Sequence, residues 1–287
     1  MTFQELAAQA PVITDGAWGT ELQRLGLEPG APADLWNLTE PERVRAVAAS
    51  YVQAGSRVIL TNTFRANRIA LSAHDAADRT AEINRAGVGI SREAAAGTAA
   101  VFASVGPTGK LLLSGDITEE ELRAAFEEQT HALAEAGPDA ILLETFADLT
   151  EAAVAIAAAR TTGLPVIVSF VFDSGRNGDR TMMGVPPEKA AQAVEAAGAS
   201  AAGANCGRGI AGYIEICSRM RAATSLPIWI KPNAGLPEMT NGKASYRTQP
   251  EEFAARVPDL VRAGATFIGG CCGSTPEFIA AAVRAIS

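Results

Sequence analysis

The segment Ala136-Gly137-Pro138-Asp139-Ala140-Ile141-Leu142-Leu143-Glu144-Thr145-Phe146 contains the repeating unit from which the fold of this chain can be inferred. A stretch with helical periodicity precedes it, an Ala-Gly pair marks the end of that helix, and an apolar run follows. The same pair stands before other apolar runs at 54–55, 197–198 and 263–264. Because glycine accepts the left-handed backbone that ends many helices, each pair predicts a helix that turns back into a strand.

Eight short apolar runs alternate with longer Ala-rich segments along almost the whole chain, and no Pro-, Gly- and Ser-rich linker divides it. Strict strand–helix alternation implies parallel strands joined by right-handed crossovers, so eight repeats favour an α/β fold, a (β/α)8 TIM barrel, forming a single domain over residues 1–287. An open, doubly wound sheet is the second possibility. The predicted strands are Pro11–Ala17, Val58–Phe64, Val101–Pro107, Ala140–Phe146, Val166–Phe172, Ser200–Cys206, Ile228–Asn233 and Thr266–Cys271. The clearest predicted helices are Pro41–Ala54, Thr118–Ala136, Leu149–Arg160, Pro186–Ala197, Pro250–Ala263 and Pro276–Ile286.

The composition limits the classes of partner. The 287 residues are 48% hydrophobic and 20% charged, with 24 basic and 32 acidic side chains and a formal charge of -8. This balance offers no basic surface for nucleic acid or anionic lipid, so we expect a small molecule or a protein as partner. No apolar stretch is long enough to cross a bilayer, and Met1-Thr2-Phe3-Gln4-Glu5 is unlike the start of a signal peptide. Four cysteines in such a chain indicate reduced thiols, and the cytoplasm is the expected compartment.

Three long stretches without periodicity each follow a predicted strand: Leu25–Glu40, Asp173–Val185 and Ala234–Gln249. In a barrel, the loops after the strands surround the active site. We therefore expect these segments to cover substrate.

Three of the four cysteines stand at the ends of predicted strands: Cys206 after the sixth, and Cys271 and Cys272 after the eighth. Successive side chains of a regular strand point to opposite faces, so the vicinal pair can reach one metal only if the chain turns sharply there. The neighbouring glycines 269, 270 and 273 permit such a turn. Three thiolates would hold Zn²⁺ at about 2.3 Å each and leave the fourth tetrahedral position open for substrate.

Other interpretations of these segments exist. The vicinal pair alone could form a disulfide or simply pack, and Gly269-Gly270 could begin a phosphate site after the last strand. Cys217 lies in the middle of a predicted helix and is interpreted as a core residue. Gly106-Pro107-Thr108-Gly109-Lys110 lacks the spacing of a phosphate-binding loop, so we interpret it as a turn at a strand end.

Seven motifs, taken in this order over nearly the whole chain, resemble those of the homocysteine S-methyltransferase family, and most of all the homocysteine-binding barrel of cobalamin-dependent methionine synthase. They are Asp15-Gly16-Ala17-Trp18-Gly19-Thr20-Glu21, Thr61-Asn62-Thr63-Phe64, Gly106-Pro107-Thr108, Leu143-Glu144-Thr145-Phe146, Asn205-Cys206, Pro232-Asn233-Ala234-Gly235 and Gly269-Gly270-Cys271-Cys272-Gly273. The resemblance implies a (β/α)8 barrel in which Cys206, Cys271 and Cys272 bind zinc and the sulfur of L-homocysteine becomes the fourth ligand. It also implies zinc-dependent methyl transfer to that sulfur, which yields methionine.

The same resemblance suggests the residues that hold homocysteine. Asp15 and Glu144 are similar to positions that bind its amino group. Asn205 and Asn233 follow strands, where their amides could bind the carboxylate or support the metal ligands, and Thr63 is a further candidate for substrate binding.

The methyl donor is left open by the sequence: a sulfonium, a betaine-type compound or a methyl-corrinoid. No D-x-H-x-x-G corrinoid signature surrounds His74 or His131, so we expect the donor to arrive as a free small molecule or on a separate corrinoid protein. Trp18, Phe64 and Phe146 could attract a cationic donor, although simple packing is the plainer interpretation. The alternative functions are a zinc barrel enzyme of other chemistry, which the scarcity of histidine disfavours, a methyltransferase with another thiol or selenol acceptor, and a non-catalytic partner barrel.

Overall fold

The computed structural model of the chain describes residues 2–240 and 243–286. Its strands are β1 Val12–Ile13, β2 Val58–Leu60, β3 Ala100–Val105, β4 Ala140–Phe146, β5 Val166–Phe170, β6 Ala201–Gly209, β7 Ile228–Asn233, β8 Glu238–Thr240, β9 Lys243–Ser245 and β10 Phe267–Ile268. Its α-helices are α1 Phe3–Ala7, α2 Gly19–Arg24, α3 Trp36–Thr39, α4 Pro41–Gln53, α5 Arg68–Ser72, α6 Thr80–Ala95, α7 Glu119–Glu135, α8 Leu149–Arg160, α9 Pro187–Ala196, α10 Ile210–Ala223, α11 Pro250–Ala254, α12 Val257–Arg262 and α13 Pro276–Ile286. Among the described residues, no helix is both long and apolar enough to span a membrane.

Eight of these strands form one parallel sheet in the order β1-β10-β7-β6-β5-β4-β3-β2. A parallel bridge between Thr14 and Val58 joins the two ends of this order, and the Arg57 N–H donates to the Ile13 carbonyl oxygen at 2.8 Å. The sheet therefore closes on itself with helices between the strands, which confirms the predicted (β/α)8 barrel. The alternative of an open, doubly wound sheet is wrong.

Several predicted boundaries agree with the structure to the residue, namely β4, β7, α8 and α13. The first and last barrel strands are shorter than predicted, and the predicted helix Pro250–Ala263 is in fact two helices, α11 and α12. Pro258 explains the break, because proline has no N–H to donate to the carbonyl of Ala254 one turn earlier. The hairpin of β8 and β9 lies inside Ala234–Gln249, which was predicted to have no regular structure.

The interior of the barrel is layered, because side chains two residues apart on a strand face the same side. Its lower layers are apolar and contain Phe102, Leu142 and Trp229. Two residues further along the same strands stand Ser104, Glu144 and Lys231, which are also buried. The carboxyl end of the barrel interior is therefore polar, while every strand below it is held by apolar contacts.

Helix α1 closes the opposite end of the barrel. A capping box fixes its start, since the Glu5 N–H donates to Thr2 Oγ1 at 3.2 Å and the Thr2 N–H donates to Glu5 Oε2 at 2.8 Å. The Phe3 ring stacks on Phe267 with 5.5 Å between centroids. Trp229 lies against the same cluster, 5.5 Å from Phe267 and 5.9 Å from Phe102. The Phe3 side chain and this ring cluster therefore fill the barrel interior at the amino ends of the strands.

We predict that Trp229→Ala lowers the free energy of unfolding by about 3–5 kcal/mol, because it removes the centre of this ring cluster and leaves a cavity. Trp229→Phe should cost much less, since it keeps an aromatic ring and removes an indole N–H that has no hydrogen-bond partner. Urea unfolding followed by circular dichroism measures both values. Equal losses in the two variants would contradict the proposed role of the ring contacts.

Candidate metal centre and active site

A cavity of about 350 Å³ opens at the carboxyl end of the barrel. Its polar walls include the three strand-end cysteines, Glu144 and Lys231, and its apolar walls include Trp18, Leu60, Phe64 and Leu71. Of the three loops predicted to cover substrate, Leu25–Glu40 supplies residues 30–34 to the wall, whereas no described residue of Asp173–Val185 or Ala234–Gln249 lines it. The cavity therefore joins the sulfur cluster to a buried carboxylate and a buried ammonium group.

Cys206 is aimed into this cavity by a bulge near the end of β6. Cys206 pairs with Pro232 of β7, and the next paired residue, Gly209, already faces Asn233, so Gly207 and Arg208 are extra residues. Cys206 has a φ of 64°, a left-handed backbone that side chains other than glycine rarely adopt. The buried Tyr213 hydroxyl lies 2.9 Å from the carbonyl oxygens of both Asn205 and Cys206. Tyr213 thus holds the strained ligand position in place.

Cys271 and Cys272 lie beyond β10, which ends at Ile268 and not at Cys271 as predicted. The strand stops here because the chain runs against β1: a Cβ on Gly269 would collide with Thr14 Oγ1. A turn then follows, in which Gly273 has a φ of 82°. The Cys271 N–H donates to the Pro232 carbonyl at 2.8 Å, and the Cys272 carbonyl accepts the Ala234 N–H at 3.0 Å. The turn lets both vicinal side chains line the same cavity.

The Sγ atoms of the three cysteines lie within 4.8 Å of one another. In a tetrahedral site with sulfur at about 2.3 Å from the metal, sulfur atoms are about 3.8 Å apart, so a small inward movement suffices. The adjacent Cys206 thiol and burial together raise the pKa of Cys271 well above its ordinary value. Three clustered thiols of this kind ionise together only beside a cation, and a soft donor set of three sulfurs suits zinc. The residues present fit a metal with thiolate ligands.

The other interpretations of these segments do not match the structure. All four cysteines are free thiols, and Cys217 is a buried residue of α10 whose Sγ lies 3.6 Å from the Ala263 carbonyl oxygen. The N–H groups of Gly269 and Gly270 donate to the carbonyl oxygens of Ile230 and Asp15, each at 3.0 Å. These backbone groups are therefore not available to a phosphate.

The segment from Gly106 to Lys110 is a turn after β3, as predicted. The Gly106 N–H donates to the Phe64 carbonyl oxygen at 2.7 Å, and the Thr108 N–H donates to Glu151 Oε1 at 2.8 Å.

Glu144 lies in the cavity wall on a second bulge, where Glu144 and Thr145 of β4 oppose the single residue Ser169 of β5. Burial raises the pKa of Glu144, while nearby Lys231 and the Ser104 hydroxyl act to lower it. Ser104 Oγ donates to Glu144 Oε1 at 2.5 Å, and Asn205 Nδ2 lies 3.5 Å from Oε2. The carboxylate is thus oriented by neutral donors and still faces the cavity.

Asn205 supports the site and does not line the cavity. Its Oδ1 accepts the Thr145 N–H at 2.9 Å and the Ser169 hydroxyl at 2.6 Å, and its Nδ2 donates to Thr145 Oγ1 at 2.7 Å. Thr145 has a φ of 66°, which is costly for a β-branched residue. The amide therefore holds the strained bulge that carries Glu144.

Asp15 is fully buried, and both of its carboxylate oxygens already have partners. Oδ2 accepts Trp18 Nε1 and the Leu60 N–H, each at 2.7 Å. Oδ1 forms a short ion pair with Nζ of Lys231, which is only 2% exposed. Asp15 itself does not line the cavity, whereas Lys231 does. The amino-group binding predicted for Asp15 would have to displace this lysine.

The two remaining predicted substrate residues also lie behind the cavity wall. Thr63 Oγ1 donates to the Ser104 carbonyl at 2.7 Å, so its hydroxyl hydrogen already forms a hydrogen bond within the barrel wall. Asn233 Nδ2 donates to the Gly207 carbonyl at 2.9 Å, while its buried Oδ1 has no hydrogen-bond partner among residues 2–240 and 243–286. Asn233 thereby braces the turn after Cys206 and offers a free acceptor oxygen beside the two cysteine-bearing segments.

Sequence reasoning missed Lys231, Ser104 and Tyr246. A lysine within the apolar strand Ile228–Asn233 was a usable signal, because an unpaired ammonium is rarely buried. Ser104 gave no such signal. The Tyr246 ring packs against Gly273, the residue that follows Cys272, so the Ala234–Gln249 segment approaches the sulfur cluster from outside the cavity.

The predicted aromatic surface is present in part. Trp18 and Phe64 line the cavity, but Phe146 is fully buried and packs on Phe126 with 6.1 Å between ring centroids. A cationic donor in the cavity could therefore meet the first two rings and not the third.

The chain is similar to proteins of known activity over nearly its full length. The methionine synthases of Mycobacterium leprae and Mycobacterium tuberculosis are each 30% identical to it over 301 residues, covering 99% of this chain and 25% of each synthase. The chain thus spans about a quarter of the length of these curated relatives. The crystal structure of the homocysteine methyltransferase MmuM from Escherichia coli in its metallated form has a TM-score of 0.82 and 25% identity, with 99% of both chains covered. The model of the homocysteine S-methyltransferase family matches residues 12–286. Together with the cysteine cluster at the carboxyl end of a closed barrel, this match places the chain in the homocysteine S-methyltransferase family.

Proposed function

We propose that this chain binds Zn²⁺ through Cys206, Cys271 and Cys272 and transfers a methyl group from an activated donor to the thiol of L-homocysteine, yielding methionine. The observation that carries the proposal is the convergence of three sulfur atoms, within 4.8 Å of one another, on a cavity that also contains a buried carboxylate. Family membership supports homocysteine as the acceptor. The chain is proposed to act as one barrel domain over residues 1–287, in a reducing compartment such as the cytoplasm, where its free thiols persist.

Zinc is the metal that this donor set favours. Thiolates are soft ligands, and the tetrahedral geometry of zinc with three protein ligands leaves one position for substrate. The metallated crystal form of MmuM supports a metal in a barrel of this kind. The unpartnered acceptor oxygen of Asn233 beside the cysteine segments also suits a cation nearby.

Bound in this way, zinc would supply the acceptor sulfur as a thiolate at neutral pH, whereas a free thiol is mostly protonated. The new carbon–sulfur bond forms from a sulfur lone pair as the bond between methyl and donor breaks, and the donor keeps that electron pair. The thiol proton leaves to solvent. A sulfonium, ammonium or corrinoid leaving group needs no protonation, so the transfer requires no general acid from the cavity wall.

Glu144 is proposed to hold the ammonium group of homocysteine. It is a buried carboxylate of the cavity wall, its charge acts on the Cys271 thiol, and it is oriented by Ser104. Fixing the amino acid at this end places its thiol toward the sulfur cluster, a contribution of orientation more than of chemistry.

The donor is proposed to be a small cationic molecule or a methyl-corrinoid carried by a separate protein. Trp18 and Phe64 in the cavity wall suit the first class, because ring faces attract sulfonium and quaternary ammonium groups. The similarity to methionine synthases suits the second. Turnover assays with S-methylmethionine, betaine and methylcobalamin distinguish the two classes.

The first test is the zinc content of the purified protein, combined with X-ray absorption at the zinc edge before and after addition of L-homocysteine. We expect one zinc per chain and a rise from three to four sulfur ligands, since the acceptor thiolate fills the open position. Absence of zinc, or a sulfur count that homocysteine leaves unchanged, would contradict the proposal.

Cys272→Ser should abolish methyl transfer and weaken zinc binding strongly, because a serine hydroxyl is not a thiolate ligand. The barrel should stay folded, since Cys272 is a turn residue outside the apolar core. Chelator competition measures zinc affinity, and circular dichroism reports folding. Cys217→Ala is the matched control and should retain zinc. A Cys272→Ser protein that binds zinc and turns over normally would remove Cys272 from the site.

Glu144→Gln should weaken homocysteine binding about 10- to 100-fold, the usual effect of losing a charge-assisted hydrogen bond. Binding of 4-sulfanylbutanoate, which lacks the ammonium group, should change little. Isothermal titration of the zinc-loaded protein measures both affinities, and Glu120→Gln on the exposed face of α7 is the control. Equal weakening of the two ligands would show that Glu144 does not bind the ammonium group.

A further inference from the structure

Lys231 is a charged residue in the inner wall of the barrel, on β7, two residues above Trp229. Its side chain is 2% exposed, and its Nζ atom lies 5.9 Å from the centre of the Trp229 ring. A buried ammonium group is costly unless charge and hydrogen bonds compensate it. The sulfur cluster does not explain why a lysine is buried at this position.

The hydrogen bonds of Lys231 are incomplete. The ammonium group has three N–H donors, and one of them donates to Asp15 Oδ1. Within residues 2–240 and 243–286, no further acceptor contacts its Nζ atom. The same group forms part of the wall of the cavity that contains Glu144 and the three cysteines. Two donors of a buried cation are thus left for whatever fills that cavity.

The charges around the cavity fit a zwitterion. Asp15 and Lys231 neutralise each other as a pair, and Glu144 has only neutral hydrogen-bond donors. An acceptor with an ammonium group and a carboxylate on the same carbon needs one acidic and one basic partner side by side. Glu144 and Lys231 both line the cavity, and they lie close enough for the Lys231 charge to act to lower the pKa of Glu144. Asp34, Arg65 and His74 line the cavity as well.

Resting on the function proposed above, we infer that Lys231 is a specificity residue that binds the α-carboxylate of the acceptor, and that Asp15 acts through it as a positioning residue. Asp15 is held rigidly by Trp18 and by the backbone of Leu60, so its Oδ1 fixes where the Lys231 ammonium lies. The acceptor's ammonium group then goes to Glu144 and its thiol to the metal. Thiols without the carboxylate become poor acceptors.

The test compares two ligands on zinc-loaded protein by isothermal titration: L-homocysteine and 3-aminopropane-1-thiol, which lacks only the carboxylate. The wild type should bind homocysteine about 10- to 100-fold more tightly than the amine. Lys231→Gln, which keeps a donor for Asp15, should lose most of this preference because homocysteine binding falls while amine binding is nearly unchanged. Lys189→Met, on the exposed face of α9, is the control and should keep the wild-type ratio.

A second variant guards against a folding defect. The double change Asp15→Asn with Lys231→Met removes both charges together, so no unpaired charge stays buried, and it should show the same loss of preference. If Lys231→Gln and the double variant both keep the wild-type ratio, or weaken both ligands equally, Lys231 does not bind the carboxylate and the inference is wrong. Failure of wild-type protein to bind homocysteine at all would instead overturn the proposed function.

Discussion

Closure of the barrel between its first and last strands is the constraint on which the rest of the molecule depends. The pairing of Val12 with Phe267 and the close packing of Gly269 against Thr14 bring residues from opposite ends of the chain into one wall. Asp15 and Lys231, which are 216 residues apart, meet as a buried ion pair because of it. The vicinal cysteine turn after β10 lies near the end of β6 because β7 pairs with both of these strands.

The carboxyl rim combines local strain with firm support. Cys206 and Thr145 both have left-handed backbone angles, each of which costs about 1–3 kcal/mol. Tyr213 holds the first and Asn205 holds the second through hydrogen bonds to buried groups. The bulge of β6 re-aims the Cys206 thiol into the cavity, which a regular strand would have pointed elsewhere. The apolar layers below the rim stabilise the fold, and this compensates for the backbone strain at Cys206 and Thr145.

The distribution of charge in the cavity follows from the layering of the strands. Trp229 and Lys231 face the same side of β7, as Leu142 and Glu144 do on β4, so apolar side chains lie beneath each charged one. The low dielectric constant of these water-poor surroundings strengthens electrostatic contacts and makes unpaired polar groups costly. A zwitterionic amino acid with a thiol can satisfy an acid, a base and a metal at once in such a space.

The sequence by itself determined the (β/α)8 architecture, the bounds of β4, β7 and α8, and the three cysteines at strand ends. These features depend on local periodicity, on Ala-Gly helix ends and on motif order, all of which are visible along the chain. The tertiary structure alone decided that β10 stops before Cys271 and that Asn205 and Thr63 support the cavity wall from behind. It also decided that Lys231 forms an ion pair with Asp15. Those outcomes depend on strand register, bulges and barrel closure, which join residues far apart in sequence and leave no local pattern.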